Sequence, residues 1–186
     1  EVGTNSNGNS STPLIAAAEN EHSTVAEYLV EIIYPNATAL EKKYYAEFPE
    51  GTPLVCACEK GRVEDVEGMI RGARAAGMDV TAMVSEVGRP SYDYSHTPLT
   101  VAAMNEHSTI IEILLQYNAD TATTDQYGQN ALHKAAWTNN TTTTIVQLLL
   151  NNMKLEDINH KDTWNGETPL DICYECNDSS ITVSYT

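Results

Sequence analysis

The chain has 186 residues, 41% hydrophobic and 19% charged, which is enough apolar content for a folded domain. Its 26 Asp and Glu residues against 10 Lys and Arg give a net charge of −16. So acidic a chain is a poor match for nucleic acid or anionic lipid, because phosphate binding needs basic clusters. A basic protein surface is the more natural partner, although the same charge also serves plain solubility. No apolar run approaches the ~18–20 residues of a membrane span, so we expect no membrane contact.

The chain opens with a polar segment and continues as a series of similar units. Residues 1–11 are rich in Asn, Ser and Gly and predict a flexible lead-in. The tripeptide Thr-Pro-Leu then recurs, and its first residues are Thr12, Thr52, Thr97 and Thr168. A variant of the same unit begins at Asn130, 33 residues after Thr97. A period of about 33 residues indicates an array of helical repeats.

The unit that begins at Thr97 shows the local chemistry most clearly. Thr97 is a good N-cap, and Pro98 suits the first helical position because its missing N–H costs nothing there. Ala102 and Ala103 are small enough to let a neighbouring helix approach closely. Residues 110–115 supply the apolar face of a second helix, and Gly128 predicts a turn with positive φ. Neither helix is long enough to stand alone in water, so stacking must bury their apolar faces.

This unit resembles an ankyrin repeat. The matching residues are Thr97, Pro98, Leu99, Ala102, Ala103, Glu106, His107, Leu114, Leu115, Asn118, Ala119, Asp120, Asp125 and Gly128. The resemblance implies a hairpin finger and two antiparallel helices per repeat, with a concave face that binds other proteins. It implies an all-α fold: an ankyrin-repeat solenoid of about five stacked helix-turn-helix repeats with hairpin fingers and two long insertions.

The repeat boundaries follow from the positions of the Thr-Pro-Leu signals. We expect the repeat domain to span 12–177, with a tail at 178–186, and its repeats lie near 12–51, 52–96, 97–129, 130–167 and 168–177, the last one partial. Residues 31–51 exceed the family length and predict an extra helical turn. Residues 71–84 are predicted to continue the second helix of their repeat, within an insertion at 71–95. Insertions of this kind project from one face and often serve binding.

Residues that could carry chemistry have simpler interpretations here. Cys173 and Cys176 form a C-x-x-C pair that could serve zinc, redox exchange or a disulfide. We favour free thiols instead, because Cys58 and Cys173 occupy small-residue positions of the repeat. His22 and His107 lie at repeat corners and are interpreted as structural. We therefore expect no metal, no cofactor and no catalysis, and free thiols suit a cytoplasmic location, with the nucleus as the alternative.

A candidate partner-binding surface follows from the positions that vary between repeats. Its residues lie at the ends of the first helices and at the finger tips, and they are Tyr92, Tyr94, Met104, Asn105, Asp125, Tyr127, Trp137, Thr138, Trp164 and Asn165. Aromatic residues and Met are common in interface centres. A rim of Asp93, Asp125, Asp162 and Glu167 would favour a segment bearing Lys or Arg. The alternative is that these aromatics pack finger against finger as scaffold.

Three kinds of function remain open from the sequence. We expect a monomeric scaffold or adaptor that binds a partner protein on the concave face, without catalysis of its own. The alternative is a substrate- or partner-capturing arm of a larger enzyme or channel, with recognition by the inserted segments 31–51 and 71–95. The chain starts at Glu1 and not at Met, which favours a piece of a longer protein. A purely structural spacer is a further alternative.

Overall fold

The computed structural model describes residues 3–4, 10–19, 22–48, 51–88, 95–138 and 143–175. Near the N-terminus, two-residue strands β1 (Gly3–Thr4) and β2 (Ser10–Ser11) pair antiparallel, with Gly3 opposite Ser11. The lead-in that we expected to be flexible therefore contains a short pairing.

Helices make up the rest of the regular structure in the described ranges. They are α1 (Pro13–Glu19), α2 (Ser23–Ile33), α3 (Ala39–Glu47), α4 (Pro53–Glu59), α5 (Val63–Ala75), α6 (Val80–Ser85), α7 (Pro98–Met104), α8 (Ser108–Gln116), α9 (Ala131–Trp137), α10 (Thr143–Leu150), α11 (Leu155–Ile158) and α12 (Pro169–Glu175). We call α1, α4, α7, α9 and α12 the first helices, because each follows one of the recurring Thr-Pro-Leu-type signals. Helices α2, α5, α8 and α10 are the second helices. The predicted helical stack is confirmed.

The stack is built by first helices that pack side by side. Helix α7 packs against α4 and α9, and α9 packs against α12. Ala102 and Ala103 of α7 and Ala135 and Ala136 of α9 are buried at corresponding places in adjacent units. These small side chains let the helix axes approach closely, as predicted. The second helices α5, α8 and α10 pack in the same order and complete the main core.

Reciprocal caps fix the start of three first helices. Thr97 Oγ1 accepts from the Thr100 N–H at 3.0 Å, and Thr100 Oγ1 accepts from the Thr97 N–H at 2.8 Å. Asn130 and His133 form the same arrangement, as do Thr168 and Asp171. The third helical position, where the family carries His, thus bonds to the N-cap in three units although only one of them holds His. Thr and Asp therefore perform at this position the same capping task as His133.

The helix within residues 31–51 lies inside the stack and does not project from it. Helix α3 contacts α1 and α2 on one side and α4 and α5 on the other. Tyr44 of α3 is only 1% exposed, and its hydroxyl donates to Asp65 Oδ2 at 2.7 Å. Arg62 lies over the Tyr44 ring and also pairs with Glu47 at 2.9 Å. The apolar contacts of α1 and α2 form a second, smaller core, so α3 joins the first unit to the rest of the stack.

The second insertion departs from the predicted continuous helix. Helix α5 ends at Ala75, and Gly77 adopts a φ of 72°. Asp79 then caps α6 by accepting from the Ala82 N–H at 3.1 Å. The prediction of one helix through residue 84 was wrong because it weighed the helix-forming alanines above Gly77, which favours a left-handed C-terminal turn. Val84 of α6 is fully buried in the main core.

The corner histidine His107 links two successive units. Its Nε2 lies 3.1 Å from the carbonyl oxygen of Glu59, and a Cβ at Gly61 would lie only 2.7 Å from the imidazole ring. Gly61 has a φ of 68°, so both its conformation and the close ring contact require glycine. The structural interpretation of His107 is confirmed by these contacts.

Candidate partner-binding surface

The ends of two first helices present the apolar part of the predicted surface. Met104 and Trp137 are the last residues of α7 and α9 and occupy equivalent positions in their units. Met104 is 36% exposed and Trp137 is 49% exposed. In each helix the preceding residues are buried. Met104 and Trp137 lie at the surface because the helix ends at them. We call Met104, Asn105, Trp137 and Thr138 the corner group.

The polar members of the corner group turn back onto their own helices. Asn105 Nδ2 donates to the Val101 carbonyl at 2.9 Å, and Thr138 Oγ1 donates to the Ala135 carbonyl at 3.0 Å. Each of these carbonyls also accepts from the backbone N–H of the same residue, Asn105 or Thr138, so the side-chain bonds add to the closure of the helix C-terminus. The bonds hold the Asn105 and Thr138 side chains close to the helix termini. The apolar side chains of Met104 and Trp137 therefore extend furthest from the corner into solvent.

We call Tyr127, Trp164 and Asn165 the finger group; Tyr127 lies before the N-terminus of α9, and Trp164 and Asn165 lie before the N-terminus of α12. The rings of Tyr127 and Trp164 stack with centroids 5.2 Å apart, and the Thr163 N–H donates to the Tyr127 carbonyl at 2.8 Å. Tyr127 is half-buried, whereas Trp164 is 65% exposed. Asn165 is exposed and its Nδ2 donates to Glu167 Oε2 at 3.3 Å. Two successive fingers therefore contact each other and still leave one aromatic face in solvent.

Asp125 lies inside the fold and not at the rim where the sequence placed it. Its carboxylate is fully buried, and Lys134 Nζ lies 2.6 Å from Asp125 Oδ2. The other oxygen, Oδ1, accepts from the Tyr127 and Gln129 N–H groups at 2.8 and 2.9 Å. Asp125 therefore orders the finger and cannot face a partner directly, so we leave it out of the contact surface.

Asp162 plays the same part in the next finger. Its Oδ1 accepts from the N–H groups of Asn165, Gly166 and Glu167 at 3.0–3.2 Å, and Gln129 Nε2 donates to Oδ2 at 2.8 Å. Burial raises the pKa of the Asp162 carboxyl, but these hydrogen bonds outweigh burial and hold the pKa below its ordinary value. Gln129 also accepts from Lys134 Nζ at 2.8 Å, so a polar chain runs from one finger to the next.

His96 lies beside the buried ion pair. Its Nδ1 is 3.7 Å from Asp125 Oδ2, too far for a hydrogen bond, and its side chain is 6% exposed. Burial, followed by the nearby Lys134 ammonium, lowers the pKa of His96 although Asp125 opposes the shift. His96 is therefore held in its neutral form at neutral pH.

Helix α9 is about 10 Å long, with Tyr127 of the finger group before its N-terminus and Trp137 of the corner group at its C-terminus. From the sequence we expected the two groups to form one patch. In the structure they lie at the two ends of a face that the first helices line. Tyr92, Tyr94 and Asp93 lie outside the described residues.

Two comparisons with known proteins bear on this arrangement. A family model described as Ankyrin repeats (3 copies) matches residues 79–162 and, in a second overlapping match, residues 99–183. The chain belongs to the ankyrin repeat family. The ankyrin repeat protein FPV031 of fowlpox virus (strain NVSL) is 30% identical over 95 residues, which are 51% of this chain and 28% of the viral protein. The chain thus matches less than a third of that relative's length.

Membership of the ankyrin repeat family sets the general role. Ankyrin repeats generally serve as protein–protein interaction modules, and the family is typically non-catalytic. Stacked repeats of this kind present extended surfaces along one side of the array. None of the helices in the described ranges is long and apolar enough to cross a membrane.

The buried thiols of this ankyrin chain fit the structural interpretation made from the sequence. Cys56, Cys58 and Cys173 are buried thiols, and none of the three forms a disulfide within the described residues. Burial raises the pKa of the Cys56 thiol to about 12, and burial also raises the pKa of Cys58. Across the ranges that the structure describes, no three His, Cys, Asp or Glu side chains come together as a metal site would require. Cys176 lies outside those ranges.

Sequence reasoning missed two members of this region. Tyr174 of α12 is 70% exposed, at the position where the other units hold Cys58, Ala103 and Ala136. Lys134 holds a position that is apolar and buried in its neighbours at Val101 and Ile172. Both residues stand out when the units are aligned, since each is large or charged where its equivalents are small or apolar. Aligning the units was therefore the sequence signal that could have identified both residues.

Proposed function

We propose that this ankyrin repeat chain is an adaptor that binds a basic segment of a partner protein along the concave face of its first helices, without catalysis of its own. The observation that supports the proposal most is the exposure of Met104 and Trp137 at equivalent ends of α7 and α9. Adjacent repeats thus offer two apolar anchors in a row, and partly exposed aromatic anchors are typical centres of binding energy.

The charge around this row favours a cationic partner. Glu59 occupies the position equivalent to Met104 and Trp137 in the preceding unit, and Glu106 lies half-buried at the corner after α7. The chain as a whole carries a net charge of −16. A Lys or Arg side chain over the face of Trp137 would gain cation–π attraction as well as this general field. We infer that the bound segment places Lys or Arg beside the Trp137 ring.

Site-specific crosslinking tests the proposal. A photoreactive benzoyl-phenylalanine replaces Trp137 in one preparation and Arg71, an exposed residue of α5, in a matched control. We expect a discrete adduct from position 137 in a native extract, with the crosslinked peptide of the partner rich in Lys and Arg. The same purified partner should then bind Trp137→Ala about tenfold or more weakly, as for an interface hot spot. Adducts only from position 71, or a crosslinked peptide without basic residues, would contradict the proposal.

A second candidate function has one observation in its favour. The matching part of the fowlpox virus protein is 28% of its length, so repeats of this kind occur there within a much longer chain. We propose as the alternative that the present repeats capture a substrate or partner for such a longer protein. Recognition would then use the inserted segments 31–51 and 71–95.

A further inference from the structure

A groove lies between the two inserted segments, on the side of the second helices and away from the first-helix face. It has a volume of about 550 Å³, and its walls come from the α2–α3 connection, from α3 and from the C-terminal half of α5. Tyr34 and Tyr45 stack with ring centroids 3.9 Å apart and form one wall. Gly68 and Gly72 lie on the opposite wall, so the α5 backbone is accessible there.

The rim of this groove exposes large apolar side chains. Ile33, the last residue of α2, is 47% exposed, and Met78, just after α5, is 56% exposed. Both residues line the groove together with Met69 and Leu40. Because the apolar surface extends beyond the cavity onto the rim, a small molecule in the cavity would leave part of it uncovered. A polypeptide segment would cover both.

The charge at the groove has one sign. Among its described lining residues Glu41 alone carries a charged side chain. Its two hydrogen bonds, from the Thr38 N–H and hydroxyl at 2.7 Å, both use Oε2. Glu86 is exposed and close enough to act electrostatically on Tyr45 together with Glu41. No ion pair involves either carboxylate within the described part of the chain.

We propose that this groove is a second docking site, which takes a partner segment carrying a large apolar side chain with Lys or Arg beside it. The apolar side chain enters between the tyrosine pair and the glycines of α5. The basic residue then lies against Glu41 and Glu86. This site is independent of the first-helix face, so the chain has two surfaces on which to hold partners together.

Gly72 offers a direct way to close the groove. A Cβ at Gly72 would have no heavy atom within 4 Å, so a larger side chain fits there without displacing a neighbour. Gly72 also lies inside α5, where any other residue except proline favours the helix by up to about 1 kcal/mol. Gly72→Trp therefore fills the groove without unfolding the protein, and Gly72→Ala is the matched control that leaves it open.

The probe is a phage-displayed library of random twelve-residue peptides, selected on the full chain. We expect recovered peptides to carry a large apolar residue next to Lys or Arg. They should bind wild type and Gly72→Ala alike and bind Gly72→Trp about tenfold or more weakly. Glu41→Gln keeps the cap acceptor but removes the charge, so it should weaken binding about two- to fivefold at low salt.

Methionine methyl resonances locate the bound peptide. Met69 and Met78 line the groove, whereas Met104 lies in the corner group. Binding should move the first two signals and leave that of Met104 unchanged. The proposal is overturned if no peptide discriminates against Gly72→Trp, or if only Met104 responds. A wild-type dimer that Gly72→Trp dissociates would assign the groove to a second copy of the chain and would equally overturn it.

Discussion

Lys134 of α9 reaches the finger that precedes its own helix, and its Nζ lies 2.6 Å from Asp125 Oδ2 with the carboxylate fully buried. The Lys134 side chain is itself only 9% exposed. A first-helix residue and a finger residue are thus joined by a desolvated ion pair. The pair fixes the finger that carries Tyr127 relative to the helix that carries Trp137, and so links the two ends of the proposed binding face.

Removing one member of this pair should be costly. Lys134→Met leaves the Asp125 carboxylate buried without its cation, which typically costs about 3–5 kcal/mol. Asp125→Asn with Lys134→Met removes both charges while the amide oxygen still accepts from the finger N–H groups. We expect the double variant to recover most of the loss, as measured by urea unfolding. Equal stability of the two variants, or a loss under about 1 kcal/mol for Lys134→Met, would show that the pair is not effectively buried.

His96 predicts how stability depends on pH. Burial lowers the pKa of His96, so the folded state binds fewer protons than the unfolded state, whose His pKa is about 6.5. Its contribution to stability is therefore present above that value and is lost as the pH falls below it. Burial lowers the pKa of His133 too, so it contributes in the same direction. We expect the free energy of unfolding to decrease as the pH is lowered from 7.5 to 5.

The matched variants separate the two histidines. His96→Gln should make the pH dependence shallower in this window, and His133→Gln should do so independently. Asp162 and Asp171, whose pKa values are lowered, lose their contributions only at more acidic pH, below the ordinary carboxyl range. An unchanged slope in His96→Gln would mean that His96 is not shielded from solvent.

Much of the stack was predictable because single residues carry strong local rules. Thr97 with Pro98 places a helix start, and Gly128 places a positive φ of 71°, as expected. The environment of Asp125 was not predictable from its own repeat, since an Asp in a turn is usually exposed. Its burial depends on Lys134, nine residues later, which only an alignment of helix positions singles out.

The first insertion was harder for a different reason. Helix α3 is bounded by a capping box from Thr38 and Glu41, and that local signal was readable. Its position between the first unit and α4 depends on long-range contacts, chiefly those of Tyr44. A nine-residue helix of mixed polarity has the same kind of sequence whether it is a surface insertion or a buried spacer. Length and composition alone therefore could not place it in the stack.

Tyr44 tests whether α3 joins the first unit to the rest. Tyr44→Phe removes the hydrogen bond to Asp65 and should cost about 1–2 kcal/mol, whereas Tyr44→Ala should cost about 3–5 kcal/mol. Hydrogen exchange in Tyr44→Ala should accelerate in α1 and α2 more than in α8 and α10. Tyr28→Ala, at an α2 residue that is 68% exposed, is the control and should change little. Uniform acceleration along the whole stack would contradict this role of α3.

Glu106 is a position at which a substitution should stabilise the fold. Its φ is 60°, in the left-handed region, and the equivalent residue in the preceding unit is Gly61. Since side chains other than glycine are strained there, Glu106→Gly should stabilise the fold by about 0.5–1 kcal/mol. Glu112→Gly, in the middle of α8, should instead destabilise it by about 1 kcal/mol. Thermal unfolding of both variants checks the opposite signs.

The most direct measurement is the calorimetric affinity of the partner captured at position 137 for wild type, Trp137→Ala, Met104→Ala and the control Arg71→Ala. We expect Trp137→Ala and Met104→Ala each to weaken binding by about 1–3 kcal/mol, with Arg71→Ala unchanged. The affinity for wild type should also fall as salt is raised, because a basic segment meets an acidic surface. Equal affinities for wild type and Trp137→Ala, with both proteins folded, would contradict binding along the first-helix face.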